Sequence, residues 1–397
     1  MRVSFFFCGK GMGSTPWLVL IAAMVLTGCG SGVESEFLLG GRAVEMDEDD
    51  SLEDMTEVSR NHFQPLSGYG SSEGYLPGNF GWDAGCLCKR VRYTTFTAGC
   101  KETGSYAWGF VPDQLVDGDR APVYIYLHGF LASDPRYYRD HIEHLVRQGF
   151  IVVFPIYHPA RFGVINSMGV FDEADQQEWL NTAILESKKL IDTQIKRRAD
   201  KSQVYLFGYS VGGGLATRFI RTLAELGIAD LTVRGVVLAH PQIDPKQGMP
   251  DFVAGMVKIK IVDWADGVQA IEAPTLILGG DKDGFARMQQ VSELFLGLPA
   301  STPKAAWKIL SDEDGTGDEH VHSDHGSPMC RPGPWLNNTM LEMLGIGKAT
   351  LNVHDFRIYF AATDAIRDGV LELPWDLGMN SKGHPYNLPV QCDGACQ

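Results

Sequence analysis

Residues Ser202 to Leu226 read SQVYLFGYSVGGGLATRFIRTLAEL. An apolar, β-prone run, Val204-Tyr205-Leu206-Phe207, breaks at Gly208-Tyr209-Ser210-Val211-Gly212. The chain resumes with apolar residues at Leu215, Phe219, Ile220 and Leu223, a helical spacing. A strand that turns directly into a helix puts a sharp bend on the residue between them. The positions two before and two after that residue cannot carry bulk, and Gly208 and Gly212 meet that need. Gly213 and Gly214 let the helix pack close to a sheet. The helix N-terminus then lies beneath Ser210, where its dipole favours an anion. In a chain with 45 glycines a bare G-x-S-x-G says little, so the flanking strand and helix carry the reading. The alternative is an ordinary strand–helix turn with an idle serine.

Further strands and helices alternate around this stretch. Tyr106–Phe110, Pro122–Leu127, Phe150–Phe154, Gly235–Ala239, Thr275–Leu278 and Ala306–Leu310 read as strands. His141–Gln148 and Asp175–Arg198 read as helices, the second amphipathic with Trp179, Ala183, Ile184, Leu190 and Ile191 on one side. Such alternation predicts an α/β fold with a mainly parallel sheet covered on both faces. A last helix is expected over Val353–Ile366, and Asp244–Glu272 has room for one or two more, a short lid at most.

The strand–Gly-x-Ser-x-Gly–helix unit, set in this order of elements, resembles the nucleophile elbow of the α/β-hydrolase superfamily. The resemblance runs from about Tyr106 to Pro328. The Gly-Tyr-Ser-Val-Gly-Gly-Gly run and short lid are similar to the cutinase-like, polyester-hydrolase and chlorophyllase-like branches at motif level. It implies that Ser210 is a nucleophile, followed in the chain by an acid and then a histidine. Thr275–Leu278 runs into Gly279-Gly280-Asp281-Lys282-Asp283, where Gly280-x-x-Asp283 resembles the superfamily's acid turn. Asp283 is the expected acid and Asp281 the fallback; ordinary turn chemistry is the alternative for both. The loop SDEDGTGDEHVHSDHGSP, Ser311–Pro328, holds His320, His322 and His325. His325, followed by Gly326-Ser327-Pro328, fits the base best, with His322 the rival. Strand Pro122–Leu127 ends in His128-Gly129-Phe130-Leu131, like the superfamily's H-G-x turn. Backbone N–H groups of Phe130 and Val211 are the implied oxyanion donors, with His128 a turn residue.

Asp312-x-Asp314-x-Thr316-Gly317 partly mimics a calcium loop, but Ser323 stands where a Glu is required, so no metal is assigned. Acyl transfer of the implied kind needs no cofactor. Aromatic residues near the expected cleft loops are Phe130, Tyr137, Tyr138, Tyr209, Trp264 and Phe285.

Outside the fold, Arg2 and Lys10 precede an apolar run, Trp17–Leu26, which has signal-peptide length and is short for a membrane span. It ends in Leu26-Thr27-Gly28-Cys29, resembling a bacterial lipobox, in which Cys29 would carry acyl chains. Gly30 after it resembles outer-membrane sorting, with periplasmic or surface face left open. Residues 30–75 hold 11 Asp and Glu against 2 Arg, most of the whole chain's net −15. They read as a solvated acidic tether. The three parts are thus a signal peptide over 1–29, the tether over 30–75 and an α/β-hydrolase domain over 76–397. The acidic balance argues against nucleic acid as a partner. Setting aside Cys8 and Cys29, six cysteines (Cys86, Cys88, Cys100, Cys330, Cys392 and Cys396) suggest up to three disulfides in an exported chain. Cys392 and Cys396 could close a small loop. If all six pair, Cys330 takes one of the first three.

The expectation is a lipid-anchored serine hydrolase acting on a small-molecule, lipid or polyester ester. A peptidase or thioesterase on the same fold, or a non-catalytic surface-binding lipoprotein, is the alternative.

Overall fold

A computed structural model describes residues 93–394, apart from 101–104, 114, 116–119, 131, 159–173, 245, 248–258, 315–320, 334–335, 373–376, 381 and 393. The signal peptide, Cys29, the acidic tether, Cys86, Cys88, His320 and Cys396 lie outside the described residues.

The strands are β1 (Tyr93–Cys100), β2 (Ser105–Pro112), β3 (Ala121–Leu127), β4 (Ile151–Ile156), β5 (Ala174–Asp175), β6 (Ala199–Tyr209), β7 (Val233–Ala239), β8 (Ile259–Lys260), β9 (Thr275–Gly280), β10 (Lys304–Ile309) and β11 (Val390–Gln391). The α-helices, in chain order, are α1 (Arg139–Arg147), α2 (Gln176–Thr193), α3 (Val211–Glu225), α4 (Trp264–Val268), α5 (Met288–Gly297), α6 (Asn338–Met343) and α7 (Phe360–Arg367). A π-turn, Asp355–Tyr359, leads into α7.

Nine strands form one sheet in the order β1-β2-β4-β3-β6-β7-β9-β10-β11. The run from β4 through β10 is parallel, and β1, β2 and β11 add antiparallel edges. β5 and β8 pair separately. Strand alternation sorts the side chains into two layers. Tyr124, Tyr126, Phe154, Tyr205 and Phe207 point to the side of α1 and α7, with Leu145 and Phe360. Val123, Ile125, Leu206 and Val236 point to the side of α2, α3 and α5, with Ile184, Leu215, Phe219 and Leu294. Tyr126 and Phe207 meet at 4.5 Å between ring centroids. Each such buried ring is worth roughly 2–3 kcal/mol of transfer free energy.

Two boundaries differ from the sequence expectation. The helix expected over Asp175–Arg198 stops at Thr193, and its residue Asp175 is the N-cap, accepting from the Gln177 N–H. β6 starts at Ala199 rather than Val204, because Ala199 and Asp200 pair with Ala121 and Pro122 across a register shift. Pairing with β3 outweighs the helical character of the charged run there. β1 has no counterpart in the expected strands. It is an edge strand of mixed exposure, YTTFTAGC, and such strands lack a clear apolar alternation. The expected final helix is present, with a π-turn as its first part. Of the lid segment, 245 and 248–258 lie outside the described residues; the described remainder carries β8 and α4.

Cys330 decides one branch of the disulfide expectation, that in which all six cysteines pair. It is a buried free thiol, so the set of three bridges is not complete. Burial pushes this thiol well above its ordinary range, which keeps it in the apolar layer as a neutral group. Among the described residues no helix is long and apolar enough to cross a membrane.

Candidate active site

Ser210 stands between β6 and α3 with φ 55° and ψ −123°. This is the left-handed half of backbone space, strained for a residue with a side chain. Close approach explains the flanking glycines. A Cβ on Gly212 would stand 2.2 Å from the Leu127 carbonyl oxygen, and one on Gly208 would meet the Gly212 carbonyl oxygen at 2.6 Å. Ser210 occupies the N-cap of α3, yet its hydroxyl makes no capping bond. It points away, 2.8 Å from His325 Nε2. The N-terminal N–H groups of α3 are therefore not covered by this side chain.

His325 Nδ1 lies 2.8 Å from Asp283 Oδ2, so three side chains 42 and 115 residues apart form one chain of hydrogen bonds. Ser210, Asp283 and His325 are 3%, 7% and 5% exposed. The other oxygen of Asp283 accepts from the backbone N–H groups of Phe285 and Ala286, each at 2.8 Å. Burial pushes the Asp283 carboxyl up. The charge of His325 and the hydrogen bonds from His240 and His325 outweigh that and hold it far below the usual carboxylate range. Asp281, the fallback, is exposed and accepts from the Ser311 hydroxyl. His322 is 51% exposed at its side chain and lies 3.9 Å from Glu313.

Gly129 brings the H-G-x turn against Ser210. A Cβ there would meet the Tyr209 ring at 2.6 Å and Ser210 Cβ at 3.4 Å. The Gly129 N–H donates to the Tyr138 hydroxyl, and Tyr157 donates to the His128 carbonyl. His128 is fully buried and stacks on Tyr157 at 4.0 Å. Burial holds its imidazole well below the usual histidine range, as suits a turn residue. Phe130 follows this turn in the chain, and Val211 is the first residue of α3.

Half-buried Phe130 stacks on Trp179 at 6.1 Å, and both meet His158. Half-buried Phe285 lies 5.1 Å from the His325 ring. Tyr137, Tyr138 and Tyr209 are buried core residues rather than cleft aromatics, because the aromatic layer beneath the sheet claims them. Trp264 packs with Gly297 on α5. Asp312 and Asp314 of the calcium-like run bind protein groups instead. Asp314 accepts from His384, Asn380 and Lys382, and Asp312 from the Asn387 and Asp314 N–H groups. Among the described residues, the cluster with a metal-ligand set is His240, Asp283 and His325. Its Nδ1 and Oδ2 atoms already hydrogen-bond at 2.8 Å, so an ion there would have to replace those bonds.

The parallel sheet, the strained serine between strand and helix, and the acid and histidine on later loops together decide the architecture. The chain has the α/β-hydrolase fold. A family model described as chlorophyllase matches residues 114–282, which takes in β3, the H-G-x turn and Ser210 and stops one residue before Asp283. Carboxylesterase 20 of Arabidopsis thaliana is 29% identical over 135 residues, 32% of this chain and 38% of that protein. The chain thus spans well under half the length of that relative. Among solved structures, esterase B from Lactobacillus rhamnosis aligns over 70% of this chain and 87% of its own, at 19% identity and TM-score 0.46. A dienelactone hydrolase from Anabaena variabilis aligns over 55% and 86%, at 18% identity and TM-score 0.39.

Four residues that shape the site were not singled out for it in the sequence. His240 contacts Asp283, Tyr359 contacts His240, and His158 and Trp179 join the aromatic wall. Trp179 was visible only as part of a helix face. His240 and Tyr359 carried no motif.

Proposed function

We propose that this protein is a serine carboxylesterase of α/β-hydrolase type. The observation that carries the reading is the strained Ser210, hydrogen-bonded to His325, which is hydrogen-bonded to the ionised Asp283. Ser210 Oγ attacks the ester carbonyl while His325 Nε2 takes its proton. The developing oxyanion is met by the N–H groups of Phe130 and Val211, at the positive end of α3. His325 then gives the proton to the leaving alkoxide, and the acyl group stays on Ser210. Water, deprotonated by His325, attacks this acyl-enzyme and releases the acid. Asp283 holds the Nδ1–H tautomer and stabilises the imidazolium throughout. The likeness to a carboxylesterase and to the chlorophyllase family supports ester over amide substrates. The aromatic wall of Phe130, His158 and Trp179 suits an apolar group on the ester.

The sequence Leu26-Thr27-Gly28-Cys29 supports export and lipid anchoring at Cys29. Two acyl chains on that residue would hold the enzyme at a membrane by way of the acidic tether. Incorporation of labelled palmitate, lost in Cys29→Ser, tests this part.

The test of the catalytic reading is labelling with a fluorophosphonate, mapped by peptide mass. Label on Ser210, absent from Ser210→Ala and His325→Ala, is the expected result. An intact, folded chain that takes no label is a binding protein, and the esterase reading fails.

A further inference from the structure

Among the described residues, two non-glycine residues have positive φ: Ser210 at 55° and His240 at 47°. They stand at the carboxyl ends of the neighbouring strands β6 and β7. Such backbone persists only where the surroundings enforce it, and it gathers at functional sites. His240 is fully buried, with Nδ1 2.8 Å from Asp283 Oδ2 and Nε2 2.7 Å from the Tyr359 hydroxyl. Burial holds its imidazole below the usual histidine range, against the hydrogen bond and charge of Asp283. A neutral ring facing a carboxylate at Nδ1 carries its proton there, and Nε2 then accepts from Tyr359. Asp283 thus receives four N–H groups: Phe285 and Ala286 on one oxygen, His240 and His325 on the other.

We propose that His240 is a positioning residue acting through Asp283: its Nδ1–H fixes the carboxylate and draws negative charge away from His325. The inference rests on the esterase reading of this site. A carboxylate sharing its charge among four donors holds the imidazolium form of His325 less tightly. Removing the His240 donor is therefore expected to move the acid limb of the pH–rate profile upward. The titratable groups facing this pair are Asp281 and Asp283 on the turn after β9, Asp324 and His325 on the base's loop, Tyr209 at the end of β6, and His354 and Tyr359 beside α7. Burial pushes the two phenols well up and His354 down to about 3, so none of these three changes charge near neutrality. Asp324, pushed up to about 6 by burial, does, and it has to be silenced in the test.

The experiment is the pH profile of kcat/KM with p-nitrophenyl butyrate from about pH 5 to 9, on the Asp324→Asn background. Four chains are compared: His240 intact, His240→Asn, His240→Leu and Tyr359→Phe. Asparagine tolerates the left-handed backbone and places an amide nitrogen where Nδ1 stands. Leucine has similar size and no donor. The expected result is an acid limb moved up by about one pH unit in His240→Leu, unmoved in His240→Asn, and moved by less in Tyr359→Phe. A lower kcat with an unmoved limb in every variant means that His240 is only structural, and overturns the proposal; so does an equal shift for Asn and Leu. If His240→Leu does not fold, an unmoved limb in Tyr359→Phe is the overturning result. Fluorophosphonate labelling of the unmodified chain separates the two readings. Absence of label on Ser210 sinks the esterase itself, whereas label with an unmoved limb sinks the role of His240 alone.

Discussion

The Tyr209 hydroxyl donates to the backbone carbonyl of His325 at 2.5 Å, and the Tyr209 ring lies beside the His325 imidazole at 5.4 Å between centroids. Tyr209 is the residue directly before Ser210, so one side chain ties the end of β6 to the loop of His325. Burial pushes its phenol well above the usual range, so it remains a donor at all working pH values. Tyr209→Phe keeps the ring and removes the tie. We expect kcat to fall about 10-fold with KM nearly unchanged, since positional slack in a base costs mainly the transition state. Steady-state kinetics on a soluble ester reads this directly.

Asp283→Asn keeps the size of the acid but presents an N–H where a carboxylate oxygen stood. It faces the Nδ1 atoms of both His240 and His325 with a donor or a neutral acceptor. The His325 tautomer that bonds to Ser210 loses its partner, and kcat should fall by about 10⁴-fold. Equal loss of kcat and kcat/KM, with an unchanged circular-dichroism spectrum, is the expected pattern.

Gly129→Ala tests the turn that carries Phe130. The added methyl would stand 2.6 Å from the Tyr209 ring, which is itself held by its bond to His325. Neither can move without shifting an element of the site, so the turn must retreat from Ser210. We expect a fall in kcat of about 10²-fold, the scale of one lost oxyanion donor. Labelling of Ser210 by a fluorophosphonate should slow in parallel.

Asp324 gives a pH dependence of stability. Its carboxyl is pushed up to about 6 by burial, against the N–H of Gly326 and the hydroxyl of Ser327, which donate to the carboxylate and favour its charged form. The fold therefore prefers the protonated acid. That preference is fully present below the ordinary carboxylate value and is lost as pH rises to about 6. Above this the fold bears an ionised, largely buried group, at a cost of about 3 kcal/mol. Asp324→Asn should match the wild type in thermal midpoint near about pH 4 and exceed it above about pH 6. A difference that is constant with pH would assign Asp324 an ordinary carboxylate environment.

Much of the fold was legible because it is written locally. The strand expectations over Pro122–Leu127, Phe150–Phe154, Gly235–Ala239 and Thr275–Leu278 rest on apolar runs whose two faces are both buried, and each falls on an observed strand. The α2 boundary failed where the two signals competed: Ile195 to Asp200 is rich in charge and helix formers, but its end was claimed by pairing to β3. β1 failed because a half-exposed edge strand leaves no periodic trace.

For the site, the residues whose placement is set by neighbouring backbone could be read locally. Gly208, Ser210 and Gly212 form a turn that only those residue sizes allow, and the Gly280–Asp283 turn places an acid at the end of β9 by the same local means. The tertiary structure decided what depends on contacts between distant segments. The sequence left His322 open against His325; only the packing of the loop, through Tyr209 and Ile346, turns His325 inward and leaves His322 in solvent. His240 and Tyr359, 119 residues apart, meet beneath Asp283 because α7 and its π-turn cover the end of β7. A single histidine after a strand and a single tyrosine in a helix each have many ordinary explanations in a sequence. Their significance comes from the distance between them, and the folded chain sets that distance.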